Sequence, residues 1–397
     1  MCFPSDFLKD MSSIQETDFI KARMPTQRGF KLFDHQVAGQ SLILRLDEET
    51  IGKCMIPREY QFYTNLPHIL KPFVPQLKGM TQIPLKIRDC SEESDVSSET
   101  SDSWQQKEDA EEDLTEPLPL NADRIRALSK TSCTHNGNGV CYNFMLLEDL
   151  MSYFKHPCVL DLKMGVRQHG DDAPPEKVIY QENKCRTTTS HSLGLRLCGM
   201  KVFNVEKNAY ISRDKMFGRQ LSDDDLKLEI VNFLDNGQKL RQELVKPILS
   251  QLNSLKQVIE QLEGYRFYSC SLLIIYDGHV HSESDSCHIS KCNSDSVQSD
   301  SNNEKTCQSD SHVADTDLTE RENEMIQDSE VEGCEPNEQL NPQPRGQSSH
   351  SPVILRIVDF AHATFDGFEG DTVKHIGADH GFILGINTLL DVFKELS

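Results

Sequence analysis

The 397-residue chain has no run approaching the ~18 consecutive apolar residues that a membrane helix requires. Its N-terminus shows no basic stretch followed by an apolar signal core, and neither end carries a complete acylation or prenylation signal. The thirteen cysteines are odd in number, with no CxxC pair and no regular spacing, so reduced thiols are expected rather than a disulfide framework. These absences lead us to expect a protein of the cytoplasm, the nucleus or both. Zinc-finger spacing and basic strands interleaved with aromatics are also missing, which leaves nucleic acid unsupported as a partner. His279, His281, Cys287, His288 and Cys292 could in principle hold zinc, but they match no standard ligand spacing.

Apolar residues are themselves scarce, 37% against 26% charged, and two segments account for much of the deficit. Residues 89–117 hold twelve acidic side chains and one lysine; residues 279–352 hold sixteen acidic and four basic ones among Ser, Asn, Gln and Pro. Neither can bury enough apolar area to offset its ordering entropy, so both are expected to be disordered acidic inserts. Their charge could recruit protein partners, and their serines beside Asp and Glu are candidate phosphate acceptors. They carry −11 and −12 of the chain's −22, leaving the foldable remainder at +1 and compatible with an anionic ligand.

Outside the inserts the hydrophobic patterning predicts a mixed α+β fold. Residues 1–25 lack a clear period and are expected to be loose. Within 26–88, Phe33 to Ala38 and Ser41 to Leu46 read as strands around a turn at Gly39, and Ile51 to Ile56 as a third strand. A helix opened by Pro57 follows, with Tyr60, Phe62, Tyr63 and Leu66 on its apolar face. Within 118–150, Ala122 to Lys130 predicts a helix and Tyr142 to Leu147 a strand. The segment 151–278 offers a strand at Cys158 to Leu162, helices between Leu221 and Leu262, and a strand at Phe267 to Tyr276. Beyond the second insert, 353–397 offers a strand at Val353 to Phe360 and a closing helix at Leu384 to Leu396, so that insert is the long connection of a hairpin.

The string PCVLDLKMG holds the densest chemical information. An apolar strand delivers Asp161 and Lys163 two residues apart, hence on one face, where a carboxylate can orient an acceptor and an ammonium can offset charge on a moving phosphoryl group. Taken alone, the pair also fits a surface ion pair at a strand end. In IVDFAHATF, Asp359 ends a strand, the setting of many magnesium ligands, and His362 follows three residues on. Lys53 on the third strand and Glu59 on the next helix could form a kinase-like pair that holds ATP phosphates. From Lys155 to Arg219 twelve basic residues face seven acidic ones, and this local excess fits a polyanion site.

Together these strings resemble the inositol polyphosphate kinase family, whose signature PxxxDxKxG is met by Pro157, Asp161, Lys163 and Gly165. The run RQHGDD after it, LGLRLCGMKV, FYSCSLLIIYDG, FDHQVAGQ and IGKCMIPREYQFYTNLP look like the inositol hexakisphosphate kinase branch. The resemblance implies a two-lobed fold, distantly protein-kinase-like, with an ATP-grasp-like cleft between the lobes and an inositol phosphate-binding segment near Arg167 to Lys184. By position it implies that Lys53, supported by Glu59, contacts ATP phosphates, and that Glu148 and Leu150 present hinge backbone to adenine. Asp161 would hold the ribose or the acceptor group, Lys163 would bridge γ-phosphate and substrate, and Asp359 would bind magnesium. His362, Lys177, Lys184 and Arg196 would face the inositol phosphates.

The implied activity is ATP-dependent phosphorylation of an existing phosphate on inositol hexakisphosphate, at the 5-position. A kinase of inositol tris- or tetrakisphosphates and a non-catalytic inositol phosphate-binding scaffold are the alternatives. No GxGxxG loop or HRD loop is present and the metal segment reads Asp-Phe-Ala, which argues against a protein kinase. Pro174 and Pro175 predict a shifted helix start rather than a lost helix.

Overall fold

The computed structural model describes residues 31–39, 41–85, 87–89, 118–129, 131, 133–136, 139–279, 351–368 and 370–397. Residues 1–25, expected to be loose, nearly all of both acidic inserts, and four of the five possible zinc ligands, His281, Cys287, His288 and Cys292, lie outside them. The described residues belong to one unit, Met1–Val280 with Ser351–Ser397.

The strands in chain order are β1 Lys31–Leu32, β2 Ile43–Arg45, β3 Thr50–Cys54, β4 Leu77–Pro84, β5 Ile87–Asp89, β6 Leu118–Leu120 and β7 Cys133–Asn136. There follow β8 Gly139–Glu148, β9 Pro157–Met164, β10 Leu195–Asn204, β11 Ala209–Arg213, β12 Ser271–Asp277 and β13 Val353–Val358. The helices are α1 Pro57–Thr64, α2 Ala122–Leu128, α3 Pro175–Arg186, α4 Ser190–Leu193, α5 Lys215–Gly218, α6 Asp223–Asn232, α7 Val245–Gln261 and α8 His380–Lys394. An N-terminal antiparallel sheet has the order β1-β2-β3-β8-β4, with β7 also on β8; a C-terminal one has the order β11-β10-β9-β12-β13.

The C-terminal sheet owes its two faces to the period of β9. Cys158, Leu160, Leu162 and Met164 point to a core completed by α6, α7 and α8. In α7 the spacing of Val245, Ile248, Leu252, Leu255 and Ile259 places five buried residues on one stripe, each burial worth about 1.5–3 kcal/mol. The opposite face, with Val159, Asp161 and Lys163, turns toward the N-terminal sheet. Where the two meet, Phe33, Leu150, Met151, Val159 and Ile275 form a small apolar cluster.

Several boundaries differ from expectation. No strand forms over Phe33 to Ala38: the first strand is Lys31–Leu32, Asp34 and His35 begin a turn, and Phe33 packs in the inter-sheet cluster. The strand expected from Phe267 starts at Ser271; Ser269 is left-handed at φ 61° and Phe267 N–H is taken by Asp379 Oδ2 at 2.9 Å. The strand expected to reach Phe360 stops at Val358, since Asp359 is also left-handed (φ 68°) and opens a 3-10 turn over Phe360–His362. Strands β4, β10 and β11 were not anticipated, their apolar residues being interrupted by glycine and polar side chains. The α3 helix begins at Pro175 with Pro174 as its cap, the shifted start that the two prolines predict. Antiparallel pairing of β12 with β13 agrees with the hairpin reading. All described cysteines are free, and no described helix is long and apolar enough to cross a membrane.

Candidate active site

β9 is the central strand of its sheet, and its register sets the site. Lys163 lies between Ser271 of β12 and Arg196 of β10, and Asp161 between Leu273 and Gly199. Gly165, just past the strand, turns at φ +86°, a conformation that disfavours any side chain. The Lys163 ammonium donates to the carbonyl of left-handed Ser269 at 2.7 Å and lies 3.8 Å from Asp359 Oδ2. Two strained backbone positions therefore converge on one lysine, a pattern frequent at functional sites.

Asp359 is brought to this point from the far end of the chain. Its Oδ1 accepts from Lys53 Nζ at 2.7 Å, and Lys53 also donates to Glu59 Oε1 at 2.8 Å. The same Glu59 oxygen accepts from the Phe360 N–H at 3.2 Å. Helix α1 secures the arrangement: Phe62 stacks on Phe360 with centroids 4.8 Å apart, and Arg58 donates to both Asp371 oxygens and to the Ala363 carbonyl. The helix that carries Glu59 thus also fixes the segment that carries Asp359.

Burial pushes the Glu59 carboxyl up, against the pull of Lys53. Burial alone would lower the Lys53 ammonium, but Asp359 and Glu59 more than reverse this and hold it well above its ordinary range. For Asp359 burial would raise the carboxyl, yet Lys53 and then Lys163 draw it down to about 2. Asp161 has weaker support, and burial pushes it up to about 6 in spite of Lys163. The Ser271 hydroxyl beside Asp161 opposes that rise, and both side chains are buried.

Two cavities meet at Asp161, Lys163 and Asp359. One, of about 410 Å³, runs from Lys53 and Glu59 past Ile43, Ile51 and Leu273 to Glu148 and Leu150. The other, of about 240 Å³, is lined by five cations, Lys163, Lys184, Arg196, Lys215 and Arg219, together with Cys198 and Ser271. Burial, then the charges of Arg196 and Arg219, pull the Lys184 ammonium down to about 8. Arg196 is held by the hydroxyls of Thr188 and Ser190 at 3.3 and 3.1 Å.

The structure thus gathers Lys53, Glu59, Glu148, Leu150, Asp161, Lys163 and Asp359 around the first cavity, and Lys184 and Arg196 around the second. His362 lines the first cavity instead, 3.3 Å from Lys177 Nζ; burial and that lysine lower its imidazole to about 4. Lys177 lines neither cavity. Arg167 is also outside both: it donates to Asp171 at 2.7 Å and to the His169 carbonyl at 3.1 Å, and its guanidinium lies over Tyr268. Lys215 and Arg219 were visible in the sequence only as members of a basic stretch. Asp214 caps α5 by accepting from the Met216 and Phe217 N–H groups, which places both cations at the cavity wall.

A family model described as inositol polyphosphate kinase matches residues 144–394, the span from β8 through α8. The chain belongs to the inositol polyphosphate kinase family. It is 32% identical to human inositol hexakisphosphate kinase 1 over 92% of this chain and 92% of that protein. With rabbit inositol hexakisphosphate kinase 2 the identity is 33%, over 94% of this chain and 96% of that one. Among solved structures, inositol phosphate multikinase Ipk2 from S. cerevisiae in complex with ADP and Mn2+ is similar, with a TM-score of 0.49 and 20% identity, covering 87% of this chain and 98% of that chain. The region matched contains Pro157 to Gly165 and every cation of the second cavity.

Proposed function

We propose that this inositol polyphosphate kinase transfers the γ-phosphoryl group of ATP to a phosphate of inositol hexakisphosphate, forming a diphosphoinositol product at the 5-position. The observation that carries the reading is the meeting of an apolar-floored cavity and a five-cation cavity at Asp161, Lys163 and Asp359. The relatives of similar length, named for this substrate, support it.

The first cavity suits a nucleotide: an apolar end between Ile43, Ile51 and Leu273 for the base, and Lys53 for phosphates. The Asp359 carboxylate fits a magnesium ligand, being ionised by its lysines and 37% exposed to the cleft. Among the described residues no group of three or more His, Cys, Asp or Glu forms a metal cage, and magnesium is normally held by one or two carboxylates with phosphate oxygens. The metal would supply charge neutralisation on the phosphates. Lys163, at the junction, offsets charge on the group in flight, while the second cavity's cations fix the acceptor. An oxygen of the acceptor phosphate forms the new bond to the γ-phosphorus as the bond to the β-phosphate oxygen breaks and ADP leaves. That acceptor is already ionised, so Asp161 needs only to orient it.

The test is product analysis of the full chain with ATP, magnesium and inositol hexakisphosphate, beside Lys163→Ala. We expect a 5-diphosphoinositol product whose rate of formation drops by at least ~10³ in the variant. Turnover confined to tris- or tetrakisphosphates would replace the substrate. ATP and inositol phosphate binding without any turnover would favour the scaffold.

A further inference from the structure

Residues Phe33 to Gly39 leave the N-terminal sheet and form the wall between the two cavities; Ala38 and Gly39 line both. The segment is held on its own side by Phe33 N–H donating to the Ile43 carbonyl and Gln36 Nε2 donating to the Ser41 carbonyl, 3.0 and 3.1 Å. On the other side it rests on β10. A Cβ built on Gly199 would lie 2.2 Å from the Val37 carbonyl oxygen and 2.7 Å from its carbon. Both are backbone atoms, so no rotamer change relieves the clash, and any side chain there requires the segment to retreat by more than ~1 Å. Lys201 adds a bond from its ammonium to the Asp34 carbonyl at 3.4 Å.

Gly199 is not in the left-handed region, so its backbone makes no demand for glycine. Glycine within a strand is ordinarily the less stable choice. Its position is informative: the β10 register shifts between Leu197 and Gly199, which sets Gly199 directly across from Asp161 and leaves Cys198 on the cationic cavity.

We propose that Gly199 is a positioning residue: its missing side chain lets the Val37 carbonyl seat on β10, fixing the 33–39 segment as the partition that holds nucleotide and inositol phosphate in register over Asp161 and Lys163. This rests on reading the two cavities as the nucleotide and inositol phosphate sites.

The experiment compares the full chain with Gly199→Ala by steady-state phosphoryl transfer, amide hydrogen exchange and thermal melting. Displacing the partition by about 1 Å should lower kcat/KM by ~100-fold, with KM rising for both substrates. Exchange should accelerate by about tenfold or more in peptides covering 33–39 while the melting temperature stays within ~2 °C, because alanine does not weaken the strand itself. The proposal is overturned if kcat/KM and loop exchange stay within about twofold of the parent. It is equally overturned if the melting temperature falls and exchange rises along β9 and β10, which makes the glycine a requirement of the sheet. A parent chain that transfers nothing would overturn the kinase reading instead, and the exchange comparison would still decide whether Gly199 seats the segment.

Discussion

Replacing Lys53 by methionine removes the counter-ion of Glu59, which is 0% exposed, and among the described residues leaves that carboxylate the Phe360 N–H as its donor. An uncompensated buried charge costs about 3–5 kcal/mol, but Glu59 can avoid part of this by taking up a proton. The limit is the free energy of protonating a carboxyl of ordinary value near 4.3, roughly 1 kcal/mol at pH 5 and about 3.7 kcal/mol at pH 7. In the variant the folded-state value of Glu59 is raised above the unfolded one. Stability is therefore greatest below the unfolded value and is lost as pH rises through the folded one. In the parent Lys53 opposes that rise, so the loss from Glu59 is smaller there and the gap between the two proteins widens from pH 5 to pH 8. Lys53→Met with Glu59→Gln removes both charges, and its gap to the parent should lack the widening that Lys53→Met shows. Urea unfolding followed by far-ultraviolet circular dichroism at four pH values reads all three proteins. A Lys53→Met gap that does not change with pH, or a double variant that keeps the slope, would refute the assignment of Glu59 as a buried ion held by Lys53. Asp359 also loses a partner in the single variant, but it keeps Lys163 at 3.8 Å and is partly open to solvent.

Two further outcomes follow from the second cavity. Lys184 is drawn down to about 8 by burial and by Arg196 and Arg219, and a bound polyphosphate would raise it again. Binding then takes up protons, so affinity for inositol hexakisphosphate is full below about pH 8 and weakens as pH rises above it; Lys184→Arg should flatten that dependence in calorimetric titrations. Lys215→Ala and Arg219→Ala should each raise KM for the inositol phosphate by about tenfold with KM for ATP within twofold. Equal changes in both constants would mean that these cations do not face the acceptor.

Local pattern carried much of the architecture. The period-2 alternation of PCVLDLKM put Asp161 and Lys163 on one face without knowledge of any neighbour, and the 3.6 period from Leu244 to Ile259 set the buried stripe of α7. The proline pair set the start of α3. The signature strand and the Asp-Phe-Ala segment made most of the candidate site legible through their resemblance to the family, since a carboxylate and an ammonium at a strand end fit a surface ion pair as well.

Tertiary structure decided what no local rule could. Lys53 and Asp359 are 306 residues apart, and their contact depends on how α1 packs against Phe360. Arg167 and Lys184 look alike in a basic stretch, yet one is engaged by Asp171 and Tyr268 while the other lines the cationic cavity. Phe33 to Ala38 reads as a strand in the sequence, yet its backbone lies against β10, where Gly199 admits the Val37 carbonyl. The physical reason is common to all three: periodicity and composition act over a few residues, whereas ion pairing and close backbone approach depend on register between elements distant in the chain, which only the folded packing sets.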